Sequence, residues 1–311
     1  MPELVPSIIL DCDPGHDDAL AIVVAARHTN LLGITTVSGN APIESTTYNA
    51  LVMKDLLGLD VPVHKGAMCP LVAEPQYATY VHGESGLDGA DLPAPTSTID
   101  SENAVEYIID TCRATEGIWL VPTGPLTNIA MALRLAPDVG HRIAGISLMG
   151  GGTFGNRTTS AEFNIWVDPE AADIVYKYGG PLIMAGLHVT HQFRATQPRI
   201  DAVKAMPGQL ASVLGDLMQF FTNMYMSRHH GMDGGAVHDP LAILVLTHPH
   251  LFTRKNAHVV IELTGTHTRG MTVIDERDLR EVKDGNCDVL MTVNAQEAFD
   301  VMTEAIKYFS H

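Results

Sequence analysis

Four aspartates stand within eight residues near the start of the chain, where residues 11–18 read DCDPGHDD. An apolar run precedes them and a helical pattern follows, which places the carboxylates at a predicted junction between a strand and a helix. Two like charges about 4 Å apart repel by roughly 4 kcal/mol at an effective dielectric near 20, whereas a helix N-terminus returns only about 0.3–1 kcal/mol per anion. The segment therefore predicts a bound cation, and its oxygen ligands favour calcium or magnesium over zinc.

Two structural explanations compete with a metal site. In the first, Asp17 and Asp18 form the acidic first turn of a helix, while Asp11 and Asp13 are solvated loop carboxylates. The second is an EF-hand loop, which requires a glutamate at its twelfth position. The chain has Ile22 there, so the EF-hand explanation fails.

Length and charge narrow the classes of function. A chain of 311 residues with 46% hydrophobic residues can bury enough core for one large α/β domain or two smaller ones. A formal charge of −17 argues against a nucleic acid polymer as partner. The four cysteines are scattered, which is typical of reduced thiols, and no apolar stretch approaches membrane-spanning length. We therefore expect a soluble cytoplasmic protein that contacts no membrane.

Apolar runs rich in β-branched residues alternate with helical periods along the first two thirds of the chain. This βαβ order predicts an α/β fold with an open, mostly parallel, Rossmann-like sheet flanked by helices. The predicted strands are 7–10, 31–37, 61–64, 118–121, 145–148 and 181–185, and the predicted helices are 17–28, 43–57, 103–115 and 126–135. The segment 68–101 has no clear period, which predicts a lid or binding loop.

The last third of the chain changes character. Helical patterns cover 209–228 and 295–309, and another helix is predicted to open at residues 238–240. Three strand-like runs are too close together for crossover helices, which predicts additional antiparallel strands near the C-terminus. These runs are 258–263, 271–274 and 289–293. No linker is evident, so we predict a single domain over residues 1–311.

Unusual polar residues collect at the predicted carboxyl ends of the strands, where open parallel sheets bind ligands. The residues concerned are Asp11, Asp13, Gly39, Asn40, Thr123, Gly124, the run 149–152 (MGGG), Thr190 and His191. Together they predict a binding site along one edge of the sheet. The glycine run does not have the spacing G-x-G-x-x-G, so no dinucleotide site is predicted there.

Several of these segments resemble the signature motifs of one enzyme family, the inosine-uridine-preferring nucleoside hydrolases. The matching segments are 11–19 (DCDPGHDDA), 82–86 (HGESG), 121–128 (VPTGPLTN), 148–152 (LMGGG), 161–164 (AEFN) and 237–240 (VHDP). They occur in family order across nearly the whole chain. The resemblance implies one α/β domain, a tightly bound calcium ion, and hydrolysis of the N-glycosidic bond of ribonucleosides to ribose and free base. It also implies a homodimer or homotetramer.

The resemblance assigns roles to individual residues. It makes Asp13, Asp18, the carbonyl of Thr123 and Asp239 the calcium ligands, with Asp13 also the general base that takes a proton from a calcium-bound water. The implied substrate-binding residues are Asp17, Asn40, His82, Met149, Asn156, Glu162, Phe163, Asn164 and Asp239. His238 is the candidate acid that protonates the departing base, with His82 as a second possibility. Water would attack C1′ with inversion.

Each assignment has a structural counterpart. Residues 238–240 (HDP) could simply start a helix, and residues 162–164 (EFN) could be an ordinary loop. His82 could lie on the surface, Met149 could be strand-end core, and Tyr225 could be helix core rather than a base-stacking residue. Two other functions stay open at this point. One is an aspartate-nucleophile phosphohydrolase, and the other is a calcium-dependent nucleoside or sugar binder without catalysis.

Two regions depart from the family pattern. His188 stands where family members often carry aspartate, and its effect on the pocket is open. The helix that is implied to cover the nucleobase differs slightly in length before Val237. Its candidate residues are Tyr225, Met226, Arg228, His229 and His230. Purine or pyrimidine preference does not follow from these residues.

Overall fold

The computed structural model describes residues 5–228, 231–277 and 284–310, so His229 and His230 lie outside the described residues. The first half contains β1 (Ser7–Cys12), α1 (His16–His28), β2 (Asn30–Thr36), α2 (Ile43–Leu57), β3 (Val63–Lys65), α3 (Thr79–His82), α4 (Ala104–Ala114), β4 (Trp119–Pro122), α5 (Thr127–Leu135) and β5 (Gly145–Met149). All predicted strands and helices of this half are present, with ends within two residues of those predicted.

The second half contains more short elements. They are α6 (Phe163–Val167), α7 (Pro169–Tyr176), β6 (Leu182–Ala185), α8 (Leu187–Thr190), β7 (Arg194–Thr196), α9 (Gln197–Lys204), α10 (Gln209–Arg228), β8 (Gly234–Ala236), α11 (Pro240–Thr247), β9 (Phe252–Ala257), β10 (Val259–Ile261), β11 (Thr272–Ile274), β12 (Cys287–Val293) and α12 (Ala295–Phe309). No helix among the described residues is long and apolar enough to cross a membrane.

The predicted α/β fold is confirmed. Eight strands form one sheet in the order β3-β2-β1-β4-β5-β6-β12-β9, and every neighbouring pair is parallel except β12 and β9. The chain runs from β1 to β2 and β3 on one side, and then crosses to β4 on the other. This reversal opens a crevice at the carboxyl ends of β1 and β4, where doubly wound sheets bind ligands.

Both faces of the sheet are covered, which explains why β1 is apolar almost throughout. Ile8, Leu10 and Cys12 pack into one core with α1, α10, α11 and α12, whereas Ile9 packs into the opposite core with α4, α5 and α7. The alternation follows from the two-residue period of a strand. Burial of each large aliphatic side chain contributes about 1.5–3 kcal/mol.

The C-terminal strands differ from the prediction in one respect. The strands β10 and β11 are antiparallel as predicted, but they form a separate ribbon. The strand β12 instead joins the main sheet parallel to β6 and antiparallel to β9. The sequence FTRKNA of β9 is mostly exposed, so it lacks the apolar alternation by which a strand is recognised.

Candidate active site

The aspartates of residues 11–18 lie at the carboxyl end of β1 and in the first turn of α1. Asp13 and Asp18 are fully buried, and Asp17 is only 5% exposed. Asp239 reaches the same place from the start of α11 and is 3% exposed. Carboxylate oxygens of Asp17, Asp18 and Asp239 lie within 4.8 Å of one another. The fold therefore brings Asp13, Asp17 and Asp18 to the same crevice as Asp239, which is more than 200 residues away in the sequence. These four aspartates form an acidic cluster.

Asp13 has one anchored and one unpartnered carboxylate oxygen. Its Oδ2 accepts the backbone N–H of Asn40 at 2.7 Å, while its Oδ1 is buried without a hydrogen-bond partner among the described residues. A Cβ at Gly39 would lie 2.1 Å from Oδ2, and one at Gly124 would lie 2.6 Å from Oδ1, so both neighbours must be glycine. A buried oxygen without a partner is costly. An oxygen of this kind is suited to bind a metal ion or to accept a proton or hydrogen bond from a substrate.

Asp18 and Asp17 are held by donors from several elements. Asp18 accepts the backbone N–H of Gly15 at 3.0 Å, the side-chain amide of Asn40 at 3.1 Å and the hydroxyl of Thr123 at 2.8 Å. The bond to Gly15 caps α1, so the helix-capping explanation of the acidic turn is correct for Asp18 in addition to its place in the cluster. Asp17 accepts the backbone N–H of His238 at 3.2 Å.

The electrostatics of this cluster indicate a cation. Burial, followed by the charge of Asp18, raises the pKa of Asp13 well above its usual range and that of Asp17 to about 7. Burial and the charges of Asp17 and Asp18 do the same to the pKa of Asp239. A divalent cation would reverse these directions, because it favours the ionised carboxylates. The donor set is all oxygen, which fits a hard ion such as calcium or magnesium.

A pocket of about 70 Å³ opens above the cluster. Its lining includes most of the predicted site residues, namely Asp17, Asn40, His82, Thr123, Met149, Asn156, Glu162, Phe163, Asn164, His238 and Asp239. Asp13 and Asp18 are not in the lining and lie buried beside it. Tyr80 and Val81, from the segment 68–101 that was predicted to form a lid or binding loop, are part of the pocket wall.

Comparison with known proteins decides the family. The family model described as inosine-uridine preferring nucleoside hydrolase matches residues 8–300. The chain belongs to this family. It is 42% identical over 308 residues to the pyrimidine-specific ribonucleoside hydrolase RihA of Shewanella woodyi, covering 97% of this chain and 98% of the relative. It is 41% identical to the protein of the same name from Escherichia coli, covering 97% of this chain and 99% of the relative.

Solved structures support the same family. The fold matches a purine-preferring ribonucleoside hydrolase from Gardnerella vaginalis with a TM-score of 0.91 and 33% identity, over 98% of this chain and 99% of the other. It also matches the plant nucleoside hydrolase PpNRh1 with a TM-score of 0.86 and 28% identity, over 98% of this chain and 99% of the other. As a member of this family, the protein is an N-glycosyl hydrolase. Membership favours hydrolysis over the phosphohydrolase and the non-catalytic binder.

In this nucleoside hydrolase, several predicted residues have structural tasks as well. Glu162 caps α6, since its carboxylate accepts the backbone N–H groups of Gly151, Asn164 and Ile165 at 2.9–3.1 Å. The side-chain amide of Asn164 donates to the carbonyl oxygen of Thr123 at 2.7 Å. The loop explanation of residues 162–164 is therefore wrong, because they lie at a buried helix start. Glu162, Phe163 and Asn164 also line the pocket, where they can contact a substrate.

The alternatives for the remaining residues have different outcomes. The helix α11 does begin at Pro240 with Asp239 at its N-cap, but that carboxylate makes no capping bond and joins the cluster. His82 is 6% exposed, so the surface alternative is wrong. Met149 and Tyr225 are both buried core residues that also line the pocket.

The two departures from the family pattern are now placed. His188 lies in α8 outside the pocket lining, where burial lowers its pKa. In α10, Met226 is 43% exposed, and the guanidinium of Arg228 stacks over the ring of Tyr80, 4.4 Å from its centroid. This contact joins α10 to the segment 68–101 beside the pocket.

Asp11 forms hydrogen bonds that connect the elements around the site. Its Oδ1 accepts the hydroxyl of Thr35 at 2.6 Å and the side-chain amide of Asn128 at 2.8 Å. Burial raises the pKa of Asp11 to about 7. These bonds join β1 to β2 and α5, and they keep the carboxyl ends of the strands together.

Sequence reasoning named Thr190, His191 and Tyr225 as candidates without predicting their contacts, and it gave no role to Phe221 or His16. Thr190 places its hydroxyl 2.7 Å from Nδ1 of His238, and the Tyr225 hydroxyl lies 2.8 Å from Nε2 of His191. Thr190 and His191 follow β6, so their position at a strand end was the only available signal. Phe221 and His16 gave no sequence signal, because their contacts depend on how α10 packs on α1.

Proposed function

We propose that this nucleoside hydrolase uses calcium to hydrolyse ribonucleosides to ribose and free nucleobase, with a preference for pyrimidine nucleosides. The observation that carries the proposal is the buried Oδ1 of Asp13, which has no hydrogen-bond partner in the described part of the chain, beside the cluster of Asp17, Asp18 and Asp239. The pyrimidine preference rests on relatives of 41–43% identity that are named pyrimidine-specific. We further propose a cytoplasmic homodimer or homotetramer with one site in each copy.

Asp13, Asp18, the carbonyl of Thr123 and Asp239 would hold the calcium ion. Three carboxylates and one carbonyl leave positions free on an ion that takes six to eight oxygen ligands. When bound, the ion would make the attacking water more acidic and bind the ribose diol. Loss of the 2′-hydroxyl should therefore weaken a substrate.

Asp13 would act as the general base. The backbone N–H of Asn40 holds Oδ2, which leaves Oδ1 to accept the proton of the attacking water. The water oxygen forms a bond to C1′ as the N-glycosidic bond breaks, and the bonding electron pair leaves with the base. Attack on the face opposite the base inverts C1′, and no covalent enzyme intermediate forms.

The other acidic and amide residues would bind the sugar. Cleavage builds positive charge on the ribose ring, and buried carboxylates stabilise that charge without reorganising. The proposed ribose contacts are Asp17, Asn40, Asn156, Glu162 and Asn164, all in the pocket lining. The carboxylate oxygens of Glu162 already accept backbone N–H groups, so this carboxylate would be held rigidly beside the ribose ring.

His238 would donate the proton that the departing base requires. His238 lines the pocket, and its backbone N–H donates to the carboxylate of Asp17. This bond fixes the backbone of His238 beside a proposed ribose contact. The hydroxyl of Thr190 lies 2.7 Å from Nδ1 of His238, and this contact orients the imidazole in the pocket wall.

The variant His238→Ala tests this role through the leaving group. We expect kcat for uridine to fall about 10²- to 10⁴-fold, because general acid catalysis contributes that much. The fall should be far smaller for 4-nitrophenyl β-D-ribofuranoside, whose leaving group departs without a proton. His250→Ala, at an exposed histidine, is the control and should keep the parent rate. An equal loss with both substrates would exclude an acid role.

A nucleoside panel tests the proposed activity itself. Uridine, cytidine, inosine, adenosine and 2′-deoxyuridine should be compared by release of reducing sugar from the calcium-loaded protein. We expect kcat/KM at least about tenfold higher for the pyrimidine ribonucleosides, since pocket contacts discriminate related ligands by ~10–200-fold. Deoxyuridine should be a poor substrate. Release of sugar from none of these nucleosides would refute the proposed function.

A further inference from the structure

A short apolar segment lies on the surface directly after β3. Residues 66–72 read GAMCPLV, and the exposed fractions of Met68, Leu71 and Val72 are 62%, 38% and 70%. Cys69 is exposed as well. Single exposed apolar side chains are normal on a protein surface, but several adjacent ones mark an interaction site. This segment is therefore a candidate interface.

Buried side chains hold the backbone of the segment in place. The amide oxygen of Asn128, in α5, accepts the backbone N–H of Ala67 at 2.9 Å, and the carboxylate of Asp168 accepts the backbone N–H of Leu71 at 2.9 Å. Asn128 and Asp168 are both fully buried. The backbone is thus fixed while apolar side chains face solvent, and this order lowers the entropy cost of binding a partner.

A groove of about 450 Å³ runs beside the segment. Residues 66–71 form one wall, and residues 102–105 at the start of α4 line the groove together with Thr127 and Met131 of α5. Glu102 is the one charged side chain among the described residues that line it. Leu135 lies one turn after Met131 in α5 and is 69% exposed, so the apolar surface continues along this helix.

The segment and the groove together form a self-complementary surface. In a two-fold symmetric dimer each copy offers the same surface, so a projecting side chain of one copy must fill a recess of the other. Met68 and Val72 project into solvent, and the groove beside the segment has room for such side chains. The shape therefore fits a second copy of this chain.

The charges point to the same partner. The formal net charge is −17, so two copies meet more easily at an uncharged surface. Residues 66–73 contain no charged residue, while Lys65 precedes them and Glu74 follows. A two-fold axis through the segment brings the basic end of one copy to the acidic end of the other. Lys65 also lies 3.4 Å from Glu44 of its own chain, so it would then stand between two carboxylates.

We propose that residues 66–72 and the groove beside them bind the same surface of a second copy of this chain, with the two-fold axis close to Cys69. This inference rests on the part of the proposed function that makes the protein a homodimer or homotetramer, and it assigns the surface that joins two copies. It depends on neither the reaction nor the metal. In a tetramer, this surface would form one of two interfaces.

Light scattering after gel filtration tests the surface with two matched variants. Val72→Glu places a charge in the interface of both copies and should raise the dimer Kd about 100-fold or more, because a buried unpaired charge is costly. Its mass should fall to half that of the parent. Val5→Glu is the control and should keep the parent mass. Val5 is 60% exposed and precedes β1, at the edge of the parallel sheet opposite the carboxyl end of β3.

Cys69 allows a direct test in the parent protein. The other three cysteines are buried, so a short bismaleimide should react only at Cys69. We expect a covalent dimer on a denaturing gel. This band should be absent from Cys69→Ser. It should also be absent from Val72→Glu, which keeps Cys69 but should not associate.

The outcomes separate this inference from the proposed oligomer. A parent protein that stays monomeric would refute both. A dimeric or tetrameric parent that gives no cross-link at Cys69, or that keeps its mass in Val72→Glu, would overturn the proposed surface alone. Equal loss of mass in Val5→Glu and Val72→Glu would also overturn it, because net charge would then control association. Each result is obtained without substrate, so failure of the proposed hydrolysis would leave it unchanged.

Discussion

Replacing Asp13 by asparagine should lower kcat for uridine by about 10³-fold or more. Asparagine has nearly the same shape, but it cannot take a proton from water, and loss of a positioned base alone costs about 10²- to 10⁴-fold. The Oδ2 of Asp13 is anchored by Asn40, so the substitution should leave the backbone of the site in place. The measurement is initial rate at saturating calcium, with circular dichroism and thermal unfolding to verify folding.

A surface aspartate provides the matched control. Asp138 forms an ion pair with Arg113 at 2.9 Å on an exposed part of the protein, outside the pocket lining. Asp138→Asn should therefore keep the parent kcat and KM. A calcium-saturated Asp13→Asn variant with the parent rate would show that another group activates the water.

Removal of the metal should have the second largest effect. Dialysis against a chelator should abolish hydrolysis and lower the melting temperature, and calcium should restore both. At a free calcium concentration 100 times Kd, binding stabilises the native state by about 2.7 kcal/mol, which corresponds to roughly 5 °C. The physical reason is that the carboxylates of Asp13, Asp17, Asp18 and Asp239 lie buried together and repel one another when they are ionised.

The rise in melting temperature on calcium binding should change with pH in one definite direction. Without metal, burial raises the pKa of Asp17 to about 7, well above its unfolded value near 4. The native apoprotein then binds more protons than the unfolded chain between those values, so its stability falls as pH rises through that window. Calcium competes with these protons, and its stabilisation should grow from pH 5 to pH 8. A calcium shift independent of pH, or a chelator without effect, would contradict the proposed site.

The elements that sequence reasoning predicted well are long and regular. The helices α2, α10 and α12 have the predicted bounds, because an apolar face at helical spacing extends over 15 to 20 residues in each. The short helices α6 to α9 and the exposed strand β9 were missed, since none offers enough periodic residues. Their structure depends on the neighbours against which they pack.

The site shows the same division at the level of side chains. The motif at 11–18 indicated an oxygen-ligand cation site, and the crevice at β1 places two of its aspartates, Asp17 and Asp18, beside Asp239. The neighbouring residues in the sequence do not show that Glu162 caps a helix. They also do not show that His82 is buried against α1. His16 and His82 are 66 residues apart, and Asp17 and His238 are 221 apart.

The sequence by itself determined that this protein is an α/β nucleoside hydrolase with an acidic cluster after its first strand. It could do so because strand and helix periods, and the short signature motifs, are properties of neighbouring residues. Only the tertiary structure decided that one oxygen of Asp13 has no partner among the residues that the structure describes, that Asp18 also caps α1, and that Nδ1 of His82 faces His16. These depend on where packing brings remote backbone donors and acceptors, and no local pattern records that.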